Sequence, residues 1–598
     1  MAPYGHPVRM SLVRFTSYAL LFFGLLHVIN SRKRLHVLVL FLIGIALFQA
    51  LYGFVQAFSE NSHIWWVKKG LEYSVTGTFY NKNNFAAYMM MITLLAIGYA
   101  AASRPKRRVK GRWVGRISLS LEENSRRFLI IFISSFLFIA LIFSRSRGGI
   151  TSFLIALCLL GILFLLKKGK RASGGLLLSL IVITSVYALQ IGMEPVIDRF
   201  RHLDITENPR IRYTERTLEM ARDFFVTGIG VGNFQYAYPK YQAPEDMKGF
   251  IRFAHNDWAQ SFSEGGVVGL VLIVGTLLFF LYRFFRALWT RSDPFIVYLS
   301  MGTIAALLSI IIHSFVAFDL HIPAIPLTLS AILVIGSVAV HLQRRRPRDR
   351  FLYRYLKKDR PVRFNLFLIF ITVVTCVNGW WAIKHFMAEA YCHTVPNPTL
   401  NRDENPPLEK IKKAIGWDSG NAAYWYKMAA ELSRIRNAQL GIRNAEELEG
   451  KQLEIVKVLE EAVRLNPFNA QYHHRLGWEY TYLWQHPDYH KRWLPAADIA
   501  MDRATYFAGE KTPRIHVDLG NYWVMRSKTI TPANPDWITA WTKACWHYKK
   551  AQELDGSHEM VKTIIKYIWN FYPDREMVLE TIHPKFLERA GKVLGASK

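Results

Sequence analysis

Cysteine is almost absent: four occur in 598 residues, and none stands in a CxxC or a Cys/His spacing suited to structural zinc. That excludes a disulfide-built scaffold and a locally encoded zinc site. Acidic residues are also few, 45 Asp+Glu against 75 Lys+Arg, which leaves a formal net charge of +30. A nucleic-acid binder of that charge would be poorer in apolar residues, whereas 51% of this chain is hydrophobic and its mean hydropathy is +0.11. A disordered basic tail would lack the 39 Phe and 17 Trp. The segment after the opening MAPYGHPVRM has no A-x-A site, so no cleavable signal peptide is expected. What is left is an all-α, polytopic helical membrane protein with a sizeable soluble part.

Apolar runs long enough to cross a hydrocarbon core of about 30 Å lie near 10–29, 35–58, 85–102, 128–143, 149–166, 175–193, 264–282, 295–318, 322–340 and 364–383. About ten spans are therefore expected, the first weakened by Arg14. Alternate connections hold the basic residues: Arg32–Arg34, nine Lys/Arg in 104–127, Lys167–Arg171, Arg283–Arg291 and ten Lys/Arg in 341–363. Such clusters read as cytoplasmic anchors beside anionic lipid, not as a nucleic-acid surface. The other connections then face outward, including 194–263 and everything after 384, which in a bacterial inner membrane is the periplasm.

Two domains follow: 1–383, membranous, with a large outward loop at 194–263, and 384–598, helical and periplasmic. The second carries Leu476-Gly477-x2-Tyr480 and Leu519-Gly520-x2-Trp523, which match the core of a tetratricopeptide first helix. Ala462-x2-Leu465-Asn466-Pro467 and Ala551-x2-Leu554-Asp555-Gly556 match the end of its second helix, and 422–432 reads as a degraded first helix. An irregular helical bundle is the alternative; either would suit a protein partner. The Pro-rich 395–407 stretch reads as a linker to an independently folding unit. Whether Cys392 and Cys545 pair is open.

Chemistry is expected where the membrane part stops being generic. Ser144-Arg145-Ser146-Arg147-Gly148-Gly149 places two arginines at an outward-facing hairpin, against the inside-positive pattern. Snorkelling accounts for one arginine more comfortably than for two beside paired glycines. Arg210, Arg212, Arg216 and Arg222 follow at helical spacing and lead into Gly228-Ile229-Gly230-Val231-Gly232-Asn233-Phe234. That glycine run sits between membrane spans, outside any βαβ unit, so a dinucleotide fold is not expected. The third motif is His255-Asn256-Asp257-x2-Gln260-x3-Glu264-Gly265-Gly266, running into a span. No DxD, HExxH or carboxylate cluster offers a divalent metal site on the outward face, so no metal and no cofactor is expected.

The order of these motifs, with eleven residues between Arg216 and Gly228 and the Gly77–Phe85 stretch GTFYNKNNF opening a span, resembles the O-antigen ligase and Wzy polymerase superfamily. The resemblance covers roughly 15–340, and members commonly have more spans before the large outward loop than the six found here. It implies a GT-C-like fold and transfer of a glycan from an undecaprenyl (polyprenyl) diphosphate carrier to an acceptor sugar hydroxyl at the periplasmic face, inverting and metal-independent. The donor would be the lipid-linked glycan, and the acceptor a second glycan or lipid A-core, with membrane lipids around both. By resemblance, Arg147 and Arg216 hold the diphosphate with bidentate forks. His255 takes or orients the acceptor's proton. Arg145, Arg212, Gly230, Gly232, Asn233, Asn256, Asp257 and Glu264 are expected to contact substrate. Alternatives are a protein O-oligosaccharyltransferase, a polysaccharide transporter and an inactive membrane-anchored scaffold. A transporter would show repeated spans and ionisable residues at the midplane; neither is evident.

Overall fold

A computed structural model describes residues 4–59, 63–65, 67–68, 74–102, 113–166, 209–242, 251–342, 361–392, 407–438, 445–484, 490–508 and 513–595. Apart from short 3-10 turns and a two-residue pairing of His63–Ile64 with Val67–Lys68, the regular structure is α-helical. In the first part the helices are α1 (Gly5–Val28), α2 (Arg32–Phe58), α3 (Lys82–Ala102), α4 (Trp113–Phe143), α5 (Arg147–Leu166) and α6 (Pro209–Asp223). They continue as α7 (Phe234–Ala237), α8 (Asp257–Thr290), α9 (Pro294–His313), α10 (Ala324–His341) and α11 (Pro361–Cys392).

Nine of these, all but α6 and α7, are long and apolar enough to cross a membrane among the described residues. They coincide with the expected spans; the sixth, 175–193, lies outside the described residues, as do 104–112 and most of the 341–363 loop, while 113–127 belongs to α4. At the centre is α3, buried at every position from Asn83 to Ala102. A helix apolar on all faces belongs inside a bundle, and small residues let it get close to its neighbour. A Cβ placed on Gly98 would come within 2.5 Å of the Gly302 Cα on α9.

The bundle has two chemically different ends. At one, Arg32 pairs with Asp293 at 3.7 Å, Arg291 donates to the Val340 carbonyl at 2.7 Å, and Arg283 meets His341. The opposite end collects the starts of α3, α5, α8 and α10 and the ends of α4 and α9, which carry the motifs. Helix lengths are uneven: α10 has 18 residues, whereas α11 has 32, about 48 Å at 1.5 Å per residue.

The second part is built from α12 (Leu408–Trp417), α13 (Ala422–Ala438), α14 (Ala445–Leu465), α15 (Ala470–Trp484), α16 (His490–Ala508), α17 (Pro513–Lys528), α18 (Pro535–Leu554), α19 (His558–Phe571), α20 (Arg575–Glu580) and α21 (Leu587–Gly595). Successive helices pack as hairpins. The two Leu-Gly motifs supply the tight contacts: a Cβ on Gly477 would meet Met501 at 2.8 Å, and one on Gly520 would meet Tyr548 at 2.7 Å. Cys392 and Cys545 are both free thiols.

Among the described residues, the two parts of the chain are in direct contact. Helix α11 runs unbroken through 383/384 to Cys392, and its Ala388 and Cys392 are buried against Ile411, Ala414 and Tyr424. Tyr4, 2% exposed, donates its hydroxyl to the Asn421 carboxamide at 3.1 Å and accepts from the Ala422 N–H at 2.9 Å. Lys240 reaches the Tyr506 hydroxyl at 2.7 Å. Most of the 395–407 stretch lies outside the described residues.

Candidate functional site

The Ser144–Gly149 hairpin is a tight turn locked by its serines. Ser146 caps α5 by accepting from the Gly149 N–H at 3.2 Å, and its hydroxyl donates to Asn83 Oδ1 at 2.8 Å. Arg145 between them has φ 56°, a left-handed conformation costly for a side chain, and its Nε is buried without a hydrogen-bond partner. Arg147 opens α5, half-buried.

The glycine run crosses a break in α8. Gly266, φ 61° and ψ −167°, interrupts that helix, and the turn at 225–230 lies directly across it. Val267 N–H donates to the Phe225 carbonyl at 2.8 Å, and Gly230 N–H to the Glu264 carbonyl at 2.9 Å. There is no room for side chains at the crossing: a Cβ on Gly228 would lie 2.3 Å from the Glu264 carbonyl oxygen, and one on Gly266 2.2 Å from that of Val226. The freed carboxylate of Glu264, 4% exposed, accepts from the N–H of Gly232 at 2.9 Å and of Phe234 at 3.2 Å. Asn233 is fully buried, donating to the carbonyls of Ile229 at 3.1 Å and Tyr4 at 3.3 Å. This loop is thereby tied to the chain segment that also holds Asn421.

His255 immediately precedes the α8 cap. Its φ is 55°, and its Nδ1 is buried without a hydrogen-bond partner. The ring lies edge-on to Phe318 at 4.8 Å and near Tyr213 of α6 at 6.0 Å. Burial first, and then the nearby Arg210 guanidinium, push its pKa down to about 4, so the imidazole is neutral near pH 7. Asn256 uses its carboxamide oxygen to cap α8 through the N–H groups of Trp258 and Ala259, each at 3.1 Å.

The motifs meet at the 313–321 connection between α9 and α10. Asp319, fully buried, bonds His313 Nδ1 at 2.5 Å and accepts from Asn84 at 2.8 Å. The Nε2 face of His313 looks onto the arginine hairpin, 3.2 Å from where a Gly148 Cβ would stand. Arg210 of α6 donates to the Val316 carbonyl at 3.0 Å. Asp257, 1% exposed, bonds His321 Nδ1 at 2.9 Å, and His321 Nε2 meets Gln260 at 2.9 Å. Burial opposes a charge on His321, but the adjacent Asp257 carboxylate outweighs it and raises the histidine's pKa.

Beside this hub is a cavity of about 700 Å³, walled mostly by apolar side chains from α2, α3 and α10, with Gln49, Asn81 and Asn84 as polar points. Phe253 and Phe318, stacked 4.7 Å apart, separate it from His255. The GTFYNKNNF stretch forms part of its rim, pinned where Gln49 exchanges hydrogen bonds with Thr78.

The expected residues thus divide. His255 and Arg210 touch the 313–321 turn, and the hairpin that carries Arg145 and Arg147 meets it at Gly148; in the sequence Arg210 has no role beyond its spacing. Arg216 lies six residues further along α6, 45% exposed and ion-paired with Glu219 at 2.9 Å, and Arg212 is half-buried on the same helix. Gly230, Gly232, Asn233, Asn256 and Glu264 were expected to contact substrate. In the structure the N–H groups of Gly230 and Gly232, the Asn233 carboxamide nitrogen, the Asn256 carboxamide oxygen and the Glu264 carboxylate make hydrogen bonds within the loop crossing and the helix cap, while Asn233 Oδ1 is buried without a hydrogen-bond partner. Asp257 is buried against His321. His313, Asp319 and His321 carry the hub, and sequence reasoning missed them in that role.

Residues 132–274 match the family model described as O-Antigen ligase. The match runs from α4 into α8 and takes in the arginine hairpin, α6, the glycine loop and His255. No curated protein matches the chain. The matched segment associates this multi-helix membrane protein with glycan transfer of the ligase type.

Proposed function

From an O-antigen ligase segment set in a bundle of membrane-length helices, we propose that the protein transfers a glycan from a polyprenyl diphosphate carrier to an acceptor sugar hydroxyl at the periplasmic face of the inner membrane, as a ligase or polymerase of a surface polysaccharide. The observation that carries this reading is the convergence of the arginine hairpin, Arg210 and a neutral, unpartnered His255 on one turn at one end of the bundle. Departure of a sugar from diphosphate builds negative charge, which the guanidinium forks of Arg145, Arg147 and Arg210 stabilise, with Arg212 and Arg216 extending the basic face along α6. His255 accepts the acceptor hydroxyl's proton, or orients that hydroxyl, as the new glycosidic bond forms with inversion and the lipid diphosphate leaves. The apolar cavity receives the lipid-proximal part of the donor. Asp257 and Asp319 fix the orientation of His321 and His313. The helical second part, read as tetratricopeptide-like, docks a protein partner.

Analysis of lipid-linked glycans in a deletion strain tests the reading. Accumulated single repeats indicate a polymerase, and accumulated long chains a ligase; unchanged pools contradict both. With purified donor, Arg147→Ala and His255→Ala should each cost about a hundred- to thousandfold in rate. Full activity in both variants overturns the site.

A further inference from the structure

A second constellation lies at the junction of the two parts of the chain, apart from the hub and independent of the proposed transfer reaction. His6 begins α1, His385 is near the end of α11, and Asp418 caps α12, so His6 comes from the opposite end of the first part from the other two. Their ligand atoms all lie within 4.8 Å of one another. His6 Nδ1 is 3.1 Å from Asp418 Oδ2, and His385 Nδ1 is 3.6 Å from the same oxygen. The side chains of His6 and Asp418 are 9% and 7% exposed, whereas His385 is 35% exposed and leaves a way in from solvent.

The three ligand atoms, Nδ1 of His6, Nδ1 of His385 and Oδ2 of Asp418, are all buried, and none meets strict hydrogen-bond geometry although both imidazoles lie within 3.6 Å of the carboxylate. A zinc ion bound at about 2.0–2.2 Å to imidazole nitrogen and carboxylate oxygen has tetrahedral ligand–ligand edges of roughly 3.3–3.6 Å. The two imidazole–carboxylate separations, 3.1 and 3.6 Å, are near that edge, and the third lies within 4.8 Å. Two imidazoles and one carboxylate form a donor set for a borderline divalent transition ion, with water completing the shell.

We propose that His6, His385 and Asp418 bind one divalent transition-metal ion of the zinc class, which staples the start of α1, the end of α11 and the second part of the chain together. The rival account needs no ion. Arg9, with its guanidinium 5.8 Å from the Trp381 ring and lying over Gly420, is close enough to offset the Asp418 charge. Sequence spacing shows no trace of the site, because its residues meet only when the two parts are assembled.

The test uses the full-length protein in detergent, stripped with chelator and dialysed, with zinc alone as the probe. One equivalent should bind with micromolar or tighter affinity and raise the unfolding midpoint by roughly 5 °C. His385→Gln and Asp418→Asn should lose both the equivalent and the shift. His385→Cys, which still offers a zinc ligand, should keep them and guards against mere misfolding of the first two. Failure of stripped wild type to bind stoichiometric zinc, or equal binding by His385→Gln and Asp418→Asn, overturns the proposal and leaves the Arg9–Asp418 account. Transfer activity is not read, so the outcome is separable from that of the proposed function.

Discussion

His255 sits in a left-handed backbone with an imidazole that its surroundings keep unprotonated, burial acting first and Arg210 second. Its folded pKa of about 4 lies below the value of about 6.5 expected in the unfolded chain. Its contribution to stability is therefore present above pH 6.5 or so and is lost as pH falls toward 4, by roughly 3 kcal/mol in full. For the proposed reaction, the acid limb of kcat/KM should lie near the free protein's value of about 4. The limb of kcat should lie higher, since a bound diphosphate offsets Arg210; initial rates across pH check this, and coincident limbs near 6.5 would contradict it. His255 and the arginine hairpin were legible because each belongs to a contiguous motif. The hub was not. Asn84 meets Asp319 across 235 residues and Asp257 meets His321 across 64, and although Asn84 and Asp257 belong to motifs, their partners in sequence are isolated polar residues between two apolar runs.

The helices were legible from length and apolarity, yet the role of the break in α8 was not. Glu264 reads in sequence as a polar residue poised for substrate, because nothing local reveals that the glycine loop crosses at Gly266 and brings the N–H groups of Gly232 and Phe234 onto its carboxylate. The adjacent glycines give a clean comparison. Nothing lies within 4 Å of a Cβ on Gly265, whereas Gly266 combines φ 61° with a 2.2 Å approach to Val226. Gly265→Ala should leave the melting temperature of the detergent-solubilised protein within about 2 °C of wild type. Gly266→Ala should destabilise by more than about 3 kcal/mol, seen as a large drop in melting temperature or in membrane accumulation. Equal melting of the two variants would show that the crossing is not the constraint inferred here.

As a whole, the molecule is more closely knit than a proline-rich linker suggests. Truncation after residue 384 would remove Asn421 from Tyr4 and strip the apolar partners from the start of α1. It should therefore lower the melting temperature and yield of the membrane part, whereas a separable domain would leave both unchanged. The basic clusters at one bundle end and the motifs at the other also predict sidedness: an impermeant thiol reagent should label a cysteine at Lys240 from the periplasm and not one at Lys33. The uneven helix lengths carry a further consequence. The 18 residues of α10 span only about 27 Å, while α11, at about 48 Å, projects well beyond a core of about 30 Å and into its packing against α12 and α13. A thicker bilayer would have to thin around α10 and would swallow apolar turns of α11 that now stand clear of it. Reconstituted in lipids of graded acyl length, the protein should be most stable in the thinner membranes, and its second part should tilt or lift as thickness grows. The chain would then report the depth of the membrane it is in.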